Sequence, residues 1–452
     1  MKGRRRDAGP GDVSALKGRS GDAGLKSQGT ASPSAPGALQ QFLQRFGSQP
    51  ESPSLALPVD GAGSGVPPAA GRPRGGSSVA GHVLSPPASG ERGDTTPFQP
   101  PAIPGIRRPP VGLVVGLLAG ALVLMMLLGA TFGSVAISPL ALGEMTLNHL
   151  GLTHFAVTWR PQDEVILFDL RLPRVIAAAL VGAALATAGA LFQGLLRNPL
   201  ADPFIIGTSG GAALGAVIGI LVSGSLSALG FGIVPLAAFV GALGATALVY
   251  RLARIGGRTP VVTLLLAGFA VSAVFNYAVS FLLVVNDRLQ LDLPHLYAWL
   301  LGGITVSTWS QLAVVGPVIV LGAVGALGLS RSLNAFSLGE DAAERLGIPV
   351  ERDKLAIVVL GALLTAAAVT VSGLIGFVGL VVPHVMRLLG GPDHRLLLPS
   401  SALAGASFLV VADLLARTVL SPSELPVGII TAFLGGPYFL YLLRKSRREY
   451  RL

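Results

Sequence analysis

Three arginines stand where long apolar runs of this chain end: Arg171 and Arg174 in the motif Arg171-Leu-Pro-Arg174, and Arg417. A guanidinium keeps its charge at any physiological pH and offers a planar fork of donors that fits a carboxylate in bidentate fashion. The one acid well inside an apolar run is Asp413, four residues before Arg417, the spacing at which helical side chains meet. Charge recognition is the chemistry on offer. The arginines can snorkel at helix ends, or they can present their forks to carboxylates on an external partner.

A second charged cluster falls at residues 331–353, around Phe336-Ser-Leu-Gly-Glu-Asp-Ala-Ala-Glu-Arg-Leu-Gly-Ile348. Glu340 and Asp341 suit the positive end of a helix, and Arg345 follows Asp341 at i+4. The segment reads as a solvated loop or as a short helix whose mixed faces dock a soluble partner. Of the histidines, His384 follows Pro383 in an apolar run and reads as a packed or hydrogen-bonded residue rather than an iron ligand. His149 and His154 fall in a loop expected to be solvated, where contact with haem is the minority reading.

Other chemistries lack their residues. The chain has no cysteine, so disulfides, thiolate metal sites and cysteine nucleophiles are excluded together. None of its five lysines (2, 17, 26, 354 and 445) follows a glycine, so there is no Walker A loop to hold ATP. A carrier driven by ions usually buries several carboxylates or histidines in its spans, and Asp413 is a single acid with an arginine beside it. No catalytic residue, metal site or bound cofactor is expected.

The elements that must position these residues are membrane helices. Of 452 residues 51% are hydrophobic and 12% charged, against roughly 25% charged in soluble domains. Ten apolar runs approach the roughly 20 residues that a span requires: 111–132, 173–196, 204–223, 231–250, 261–285, 311–330, 354–374, 375–390, 397–420 and 427–443. A further piece, 294–306, is too short to span and suits a re-entrant or interfacial helix. Within the third run Gly207, Gly211, Gly215 and Gly219 recur every fourth residue, a flat face for close helix packing. Residues 1–108 differ in composition, with Pro/Gly/Ser-rich runs such as Gly29-Thr-Ala-Ser-Pro-Ser-Ala-Pro-Gly37 and few large apolar side chains. They are expected to form a disordered cytoplasmic extension ahead of a 109–452 membrane domain. A short amphipathic stretch, Leu39-Gln-Gln-Phe-Leu-Gln-Arg-Phe46, is the one part of it suited to folding on a surface. Arg4-Arg-Arg6 has no apolar core behind it and is not read as a signal peptide.

Charge placement gives an orientation. The net charge of +10 divides into +6 within residues 1–108 (13 basic against 7 acidic) and +4 in the remainder (20 against 16), mostly in short loops. That pattern suits membrane topology rather than nucleic acid. With the N-terminus inside, 17 loop cations fall on the cytoplasmic side and five on the other: Arg160, Arg171, Arg174, Arg288 and Arg417. Both termini are then cytoplasmic by the positive-inside rule. An echo accompanies it: Ala253-Arg254 lies nine residues before Thr263, and Ala416-Arg417 nine before Pro426, with the arginines on opposite sides. The expectation is an all-α membrane protein of ten transmembrane helices with inverted-repeat character.

Several motifs together resemble the iron-siderophore, haem and vitamin B12 permease family. They are Arg171-Leu-Pro-Arg174, Gly182-Ala-Ala-Leu-Ala186, Gln193, Asn198-Pro-Leu-Ala-Asp-Pro203 with Gly207, Leu338-Gly-Glu with Leu346-Gly347, Gly376-Phe-Val-Gly-Leu-Val-Val-Pro-His384, Asp393-His-Arg395 and Glu424-Leu-Pro-Val-Gly428. The resemblance runs over about residues 111–445, in family order, and leaves residues 1–108 uncovered.

The resemblance implies the ten-helix permease of a type II ABC importer in the bacterial inner membrane. It would work as a dimer, with a second copy of itself expected, alongside two ATPase subunits that use the ATP and a periplasmic or lipoprotein binding protein that delivers the chelate. By the same resemblance Arg171, Arg174 and Arg417 dock acidic residues of the binding protein. Gly339, Glu340, Asp341, Ala343, Glu344, Arg345, Leu346 and Gly347 form a coupling helix that sits in the ATPase, and Asn198, Pro199 and Leu200 form a cytoplasmic gate. One departure is Val261-Val262, where the vitamin B12 permease has small hydroxyl residues. The cargo expected first is a ferric siderophore, with haem and cobalamin as alternatives. A secondary carrier and a scaffold or receptor without flux are the rivals from other classes.

Overall fold

The computed structural model describes residues 110–449 except 134, 136, 223–226, 229, 230 and 307. The 1–108 extension, with its amphipathic 39–46 stretch, lies outside the described residues.

Among the described residues seven helices are long and apolar enough to cross a membrane. The first, α1 (Val111–Thr131), spans about 31 Å at 1.5 Å per residue, and it is largely exposed except where Gly129, Ala130 and Thr131 are buried at its end. Two short helices follow that hydropathy alone does not announce, α2 (Pro139–His149) and α3 (Pro161–Val165). Each opens on a proline at its first position, where the missing N–H costs no hydrogen bond, and Ser138 accepts from Ala141 N at 3.1 Å to cap α2. Residues Ile166–Arg171 then make a π-helical turn in which Leu172 N donates to Leu167 O, five residues back. Pro173 lacks the N–H that would continue the ordinary ladder to Asp169, which accounts for the widened turn. The helix runs on as α4 (Leu172–Leu195).

α4 is the centre of the bundle and is buried over most of its length. Around it lie α5 (Thr208–Val222), a two-residue β pair (β1 Ser227–Ala228, β2 Phe231–Gly232), α6 (Ile233–Ala253), α7 (Val261–Val285), the short α8 (Asp287–Leu291) and α9 (Leu293–Leu300), and α10 (Trp309–Gly328). Next come α11 (Ser330–Phe336), α12 (Glu340–Arg345), α13 (Val350–Ser372), α14 (Val378–Gly390), α15 (His394–Thr418) and α16 (Val427–Glu449). α4 packs against α10, α13, α14 and α15. Small residues let backbones touch there: a Cβ on Gly182 would strike the carbonyl of Gly405 on α15, and one on Gly189 the carbonyl of Gly379 on α14.

The glycine stripe packs in the same way. Gly211 and Gly215 on α5 lie against the Gly241 and Ala237 backbone of α6, and a Cβ on Gly219 would come within 2.9 Å of Val234 Cα. Gly207 belongs to the stripe in spacing only. It precedes the helix at φ +90°, a conformation that suits glycine, and closes the loop from α4.

The apolar 294–306 piece is half helix, half extended chain. After α9, Gly303 N and Thr305 N donate to Ser372 O and Val371 O at 2.8 and 3.0 Å, so the segment satisfies its backbone on the end of α13.

Candidate functional site

The charged residues collect at the two ends of the bundle, and α4, α13 and α15 each run from one end to the other. At the first end the π-helical turn and the first turn of α4 bring Arg171 and Arg174 beside the last turns of α1 and α15. Asp413, 1% exposed, receives Arg174 Nε and Arg417 Nε on its two oxygens, each at 2.9 Å. The i+4 pair expected within α15 is thus present, with a third member from α4. Arg174 Nη1 also reaches Glu424 Oε2 at 2.9 Å.

Arg171 and Arg417 face inward, being 6% and 7% exposed. Arg171 Nη1 donates to Ala130 O and Thr131 O at 3.1 and 3.2 Å, and its Nη2 to Val135 O. Arg417 Nη2 donates to Gly129 O at 3.2 Å. The carbonyls of Gly129, Ala130 and Thr131 are ones that the end of α1 leaves without intrahelical partners, where positive charge is favoured. Sequence spacing places all three arginines at the rim; the structure turns two of them onto α1 and leaves the Arg174 side chain, 21% exposed, as the accessible one. Three arginines against Asp413 and Glu424 leave the cluster one positive charge in excess. It lines a cavity of about 470 Å3 with Thr305, Ile304 and Leu170.

At the opposite end, α12 projects between α11 and α13. Gly339 precedes it at φ +108°, which suits glycine and allows the sharp turn from α11. Only Ala343 is anchored fully inside; Asp341, Glu344, Arg345, Leu346 and Gly347 are exposed, as is the flanking Leu338. Glu340 pairs at 2.6 Å with Lys354 of α13. Among the described residues no ion pair joins Asp341 to Arg345. Sequence alone gives Lys354 and Glu424 no role, because their partners come from other elements that only the fold brings beside them. The spacing Glu351-x-x-Lys354 and the motif Glu424-Leu-Pro-Val-Gly428 are the hints that the sequence carries.

Beside α12 lies the loop after α4. Asn198 and Pro199 are exposed and Leu200 half-buried, and Asn198 Oδ1 accepts from Leu200 N at 3.0 Å to close the turn. Gln193, buried at the end of α4, donates to Ala201 O and to Gly379 O and Leu380 O of α14, which ties the loop to that helix. Asp202 in the same loop accepts from Phe204 N at 2.8 Å, and burial pushes its carboxyl up to about 6. Asp393 is held below the usual carboxylate range by the Arg395 backbone N–H and then by the Asn334 amide. Val262 is exposed at the start of α7, with Val261 half-buried behind it. Of the histidines expected in a solvated loop, His154 is exposed, and His149 stacks on Phe168 with ring centroids 4.1 Å apart.

The profile of the FecCD transport family matches residues 117–445. The chain is 48% identical over 281 residues to the cobalamin import system permease protein BtuC of Halobacterium salinarum, covering 62% of this chain and 74% of that one. It is 41% identical over 322 residues to the hemin transport system permease protein HmuU of Yersinia pestis, covering 69% and 93%. It is 40% identical over 293 residues to the iron(3+)-hydroxamate import system permease protein FhuG of Bacillus subtilis, covering 63% and 85%. A solved structure of a metal-chelate type ABC transporter in an inward-facing conformation superposes with a TM-score of 0.63 at 30% identity, over 74% of this chain and 99% of that one.

Proposed function

The chain belongs to the FecCD transport family, and from that premise we propose that it is the transmembrane permease subunit of a type II ABC importer for a metal chelate. The observation that carries the reading is the pairing of two different charged ends on one helical bundle. One offers an arginine–carboxylate cluster beside a cavity, and the other a short projecting helix with exposed charged and apolar side chains. A subunit that receives cargo from one protein and force from another needs such ends, and it needs no covalent chemistry of its own. ATP hydrolysis falls to a separate subunit.

Taking the three shorter apolar helices, Thr208–Val222, Val378–Gly390 and Val427–Tyr441, as spans beside the seven long ones makes ten crossings. That number leaves both termini cytoplasmic, as the loop cations favour, with the two halves related as inverted repeats. Residues 1–108 are then a separate cytoplasmic extension. The Arg171, Arg174 and Arg417 end faces outward and docks a binding protein. Arg174 and Glu424 make the contact, and Arg171 and Arg417 hold the rim in place. Gly339–Gly347 is the coupling helix and Asn198–Leu200 the cytoplasmic gate. Two permease copies bring their pathway faces together, and ATP binding to two partner ATPases drives alternating access at that interface.

The cargo is a ferric siderophore on the first reading. Val261-Val262 makes the start of α7 apolar, which fits a chelate held by shape. The 48% identity to a cobalamin permease favours cobalamin as a second reading, with haem a third. Parallel titration of the cognate binding protein with a ferric siderophore, haem and cobalamin decides among them, because the ligand bound tightly is the one delivered. Binding of none of the three removes the cargo assignment.

A further inference from the structure

Lys354 is 3% exposed and sits one turn into α13, where the membrane helix meets α12. An ammonium has three N–H donors, and here each has one acceptor: Glu340 Oε2 of α12 at 2.6 Å, Glu351 Oε1 of α13 at 3.0 Å, and the backbone carbonyl of Thr259 at 3.0 Å. Thr259 is buried and immediately precedes Pro260, the residue that opens α7. Its amide is held as well, donating at 2.9 Å to the second oxygen of Glu351. Both backbone groups of Thr259, two residues before α7, are therefore fixed to one lysine–glutamate pair. The preceding turn closes on itself through Ile255 N to Arg258 O at 2.9 Å, so α6 joins the same unit.

We infer that Lys354 is the positioning residue that locks α12 to the start of α7, so that displacement of α12 by a soluble partner moves the helix bearing Val261 and Val262. The inference rests on the reading of Gly339–Gly347 as the coupling helix. The geometry supports a transmitter over a surface ion pair on two counts. An exposed pair joins two side chains and contributes little, whereas this lysine is buried and spends one donor on a backbone carbonyl of another helix. Side chains can swing away from a moving partner, but Thr259 O moves only with α7. Loss of Lys354 also leaves Glu340 and Glu351 facing the same carbonyl with no cation between them, so the contact becomes repulsive. An arginine does not substitute, since its planar fork cannot point at three convergent acceptors.

The test uses the full transporter, with its ATPase and binding protein, reconstituted in liposomes. The chain has no cysteine, so Arg258→Cys and Glu344→Cys, both at exposed positions, place one spin-label pair in each permease copy, on the α7 approach and on α12, and the short distance within a copy is the one read. With Lys354 present the distance between the labels is expected to stay constant between nucleotide-free and ATP-bound states. In Lys354→Met it should shift or broaden on ATP binding, and cargo moved per ATP hydrolysed should fall by about tenfold, within the usual range of coupling between sites. Glu340→Gln removes the same charge pair while keeping the lysine, and it should lower the ratio in the same direction. It serves if Lys354→Met does not assemble. An unchanged label distance and an unchanged ratio in either variant overturn the inference. A merely structural lysine would lower yield or melting temperature and leave the ratio alone. Crosslinking of Glu344→Cys to the ATPase separates the two readings: its absence removes the coupling helix itself, whereas a crosslink with a wild-type ratio in Lys354→Met removes only the lock.

Discussion

Arg174 on α4 and Asp413 on α15, 239 residues apart in sequence, meet at 2.9 Å where the two helices reach the same end of the bundle. Asp413 holds Arg417 at the same distance on its other oxygen. One buried carboxylate thus serves two guanidinium groups on two helices, while Arg171 and Arg417 between them cap the end of α1.

Removing that carboxylate leaves charge buried without a partner. Asp413→Leu is expected to destabilise the protein by about 3–5 kcal/mol, seen as a lower melting temperature in detergent. Asp413→Leu with Arg417→Leu should recover part of the loss. A double variant less stable than the single would contradict the pairing.

The three arginines should separate by their burial. Arg174→Glu is expected to weaken capture of the binding protein by at least about tenfold, about 1.4 kcal/mol; because it sets a third carboxylate beside Asp413 and Glu424, its melting temperature falls as well. Arg171→Met takes from Ala130 O its donor at the end of α1 and should lower the melting temperature while leaving capture of the binding protein intact. Binding-protein affinity by surface plasmon resonance and a thermal melt of each variant check both halves. Full binding by Arg174→Glu removes the docking role.

Close packing of α4 gives a contrast between two glycines. The Cβ of Gly189→Ala would run into the carbonyl of Gly379, and overpacking of this kind costs about 1–3 kcal/mol. Gly244→Ala on α6 meets open space and should be neutral or stabilising by up to about 1 kcal/mol through helix propensity. Thermal melts of the two variants side by side decide.

Asp202 gives a pH dependence with a definite sign. Its folded pKa is raised to about 6 from 3.8, so its contribution is fully favourable below about 3.8 and is lost as pH rises through 6. Asp202→Asn keeps an acceptor for Phe204 N and removes the titration. The variant's melting temperature should exceed that of the wild type by more at pH 7.5 than at pH 5. A difference independent of pH would show that Asp202 carries no such shift.

Hydropathy reveals helices through long uninterrupted runs, and α1, α13 and α15 lie close to the runs 111–132, 354–374 and 397–420. α2, α3 and the π-helical turn escape it because they are short and mixed in polarity, held by proline starts and a serine cap rather than by an apolar face. The i+4 pair of Asp413 and Arg417 is visible on one helix. Its third member, Arg174, depends on how α4 crosses α15, and that crossing is set by Gly182 and Gly405 in three dimensions. The same limit hides Lys354, whose partners come from a short projecting helix, its own first turn and a backbone carbonyl 95 residues away. The burial of Arg171 and Arg417 is likewise decided by where α1 ends.

On the proposed function this chain passes a metal chelate inward under the power of a separate ATPase. The direct test is uptake by liposomes that contain the permease, its ATPase and external binding protein, with a ferric siderophore, haem and cobalamin assayed in parallel. Uptake of one of them that requires ATP, and that ceases when the ATPase is omitted, is the predicted result. Uptake that continues without the ATPase under an ion gradient would make the chain a secondary carrier and contradict the account.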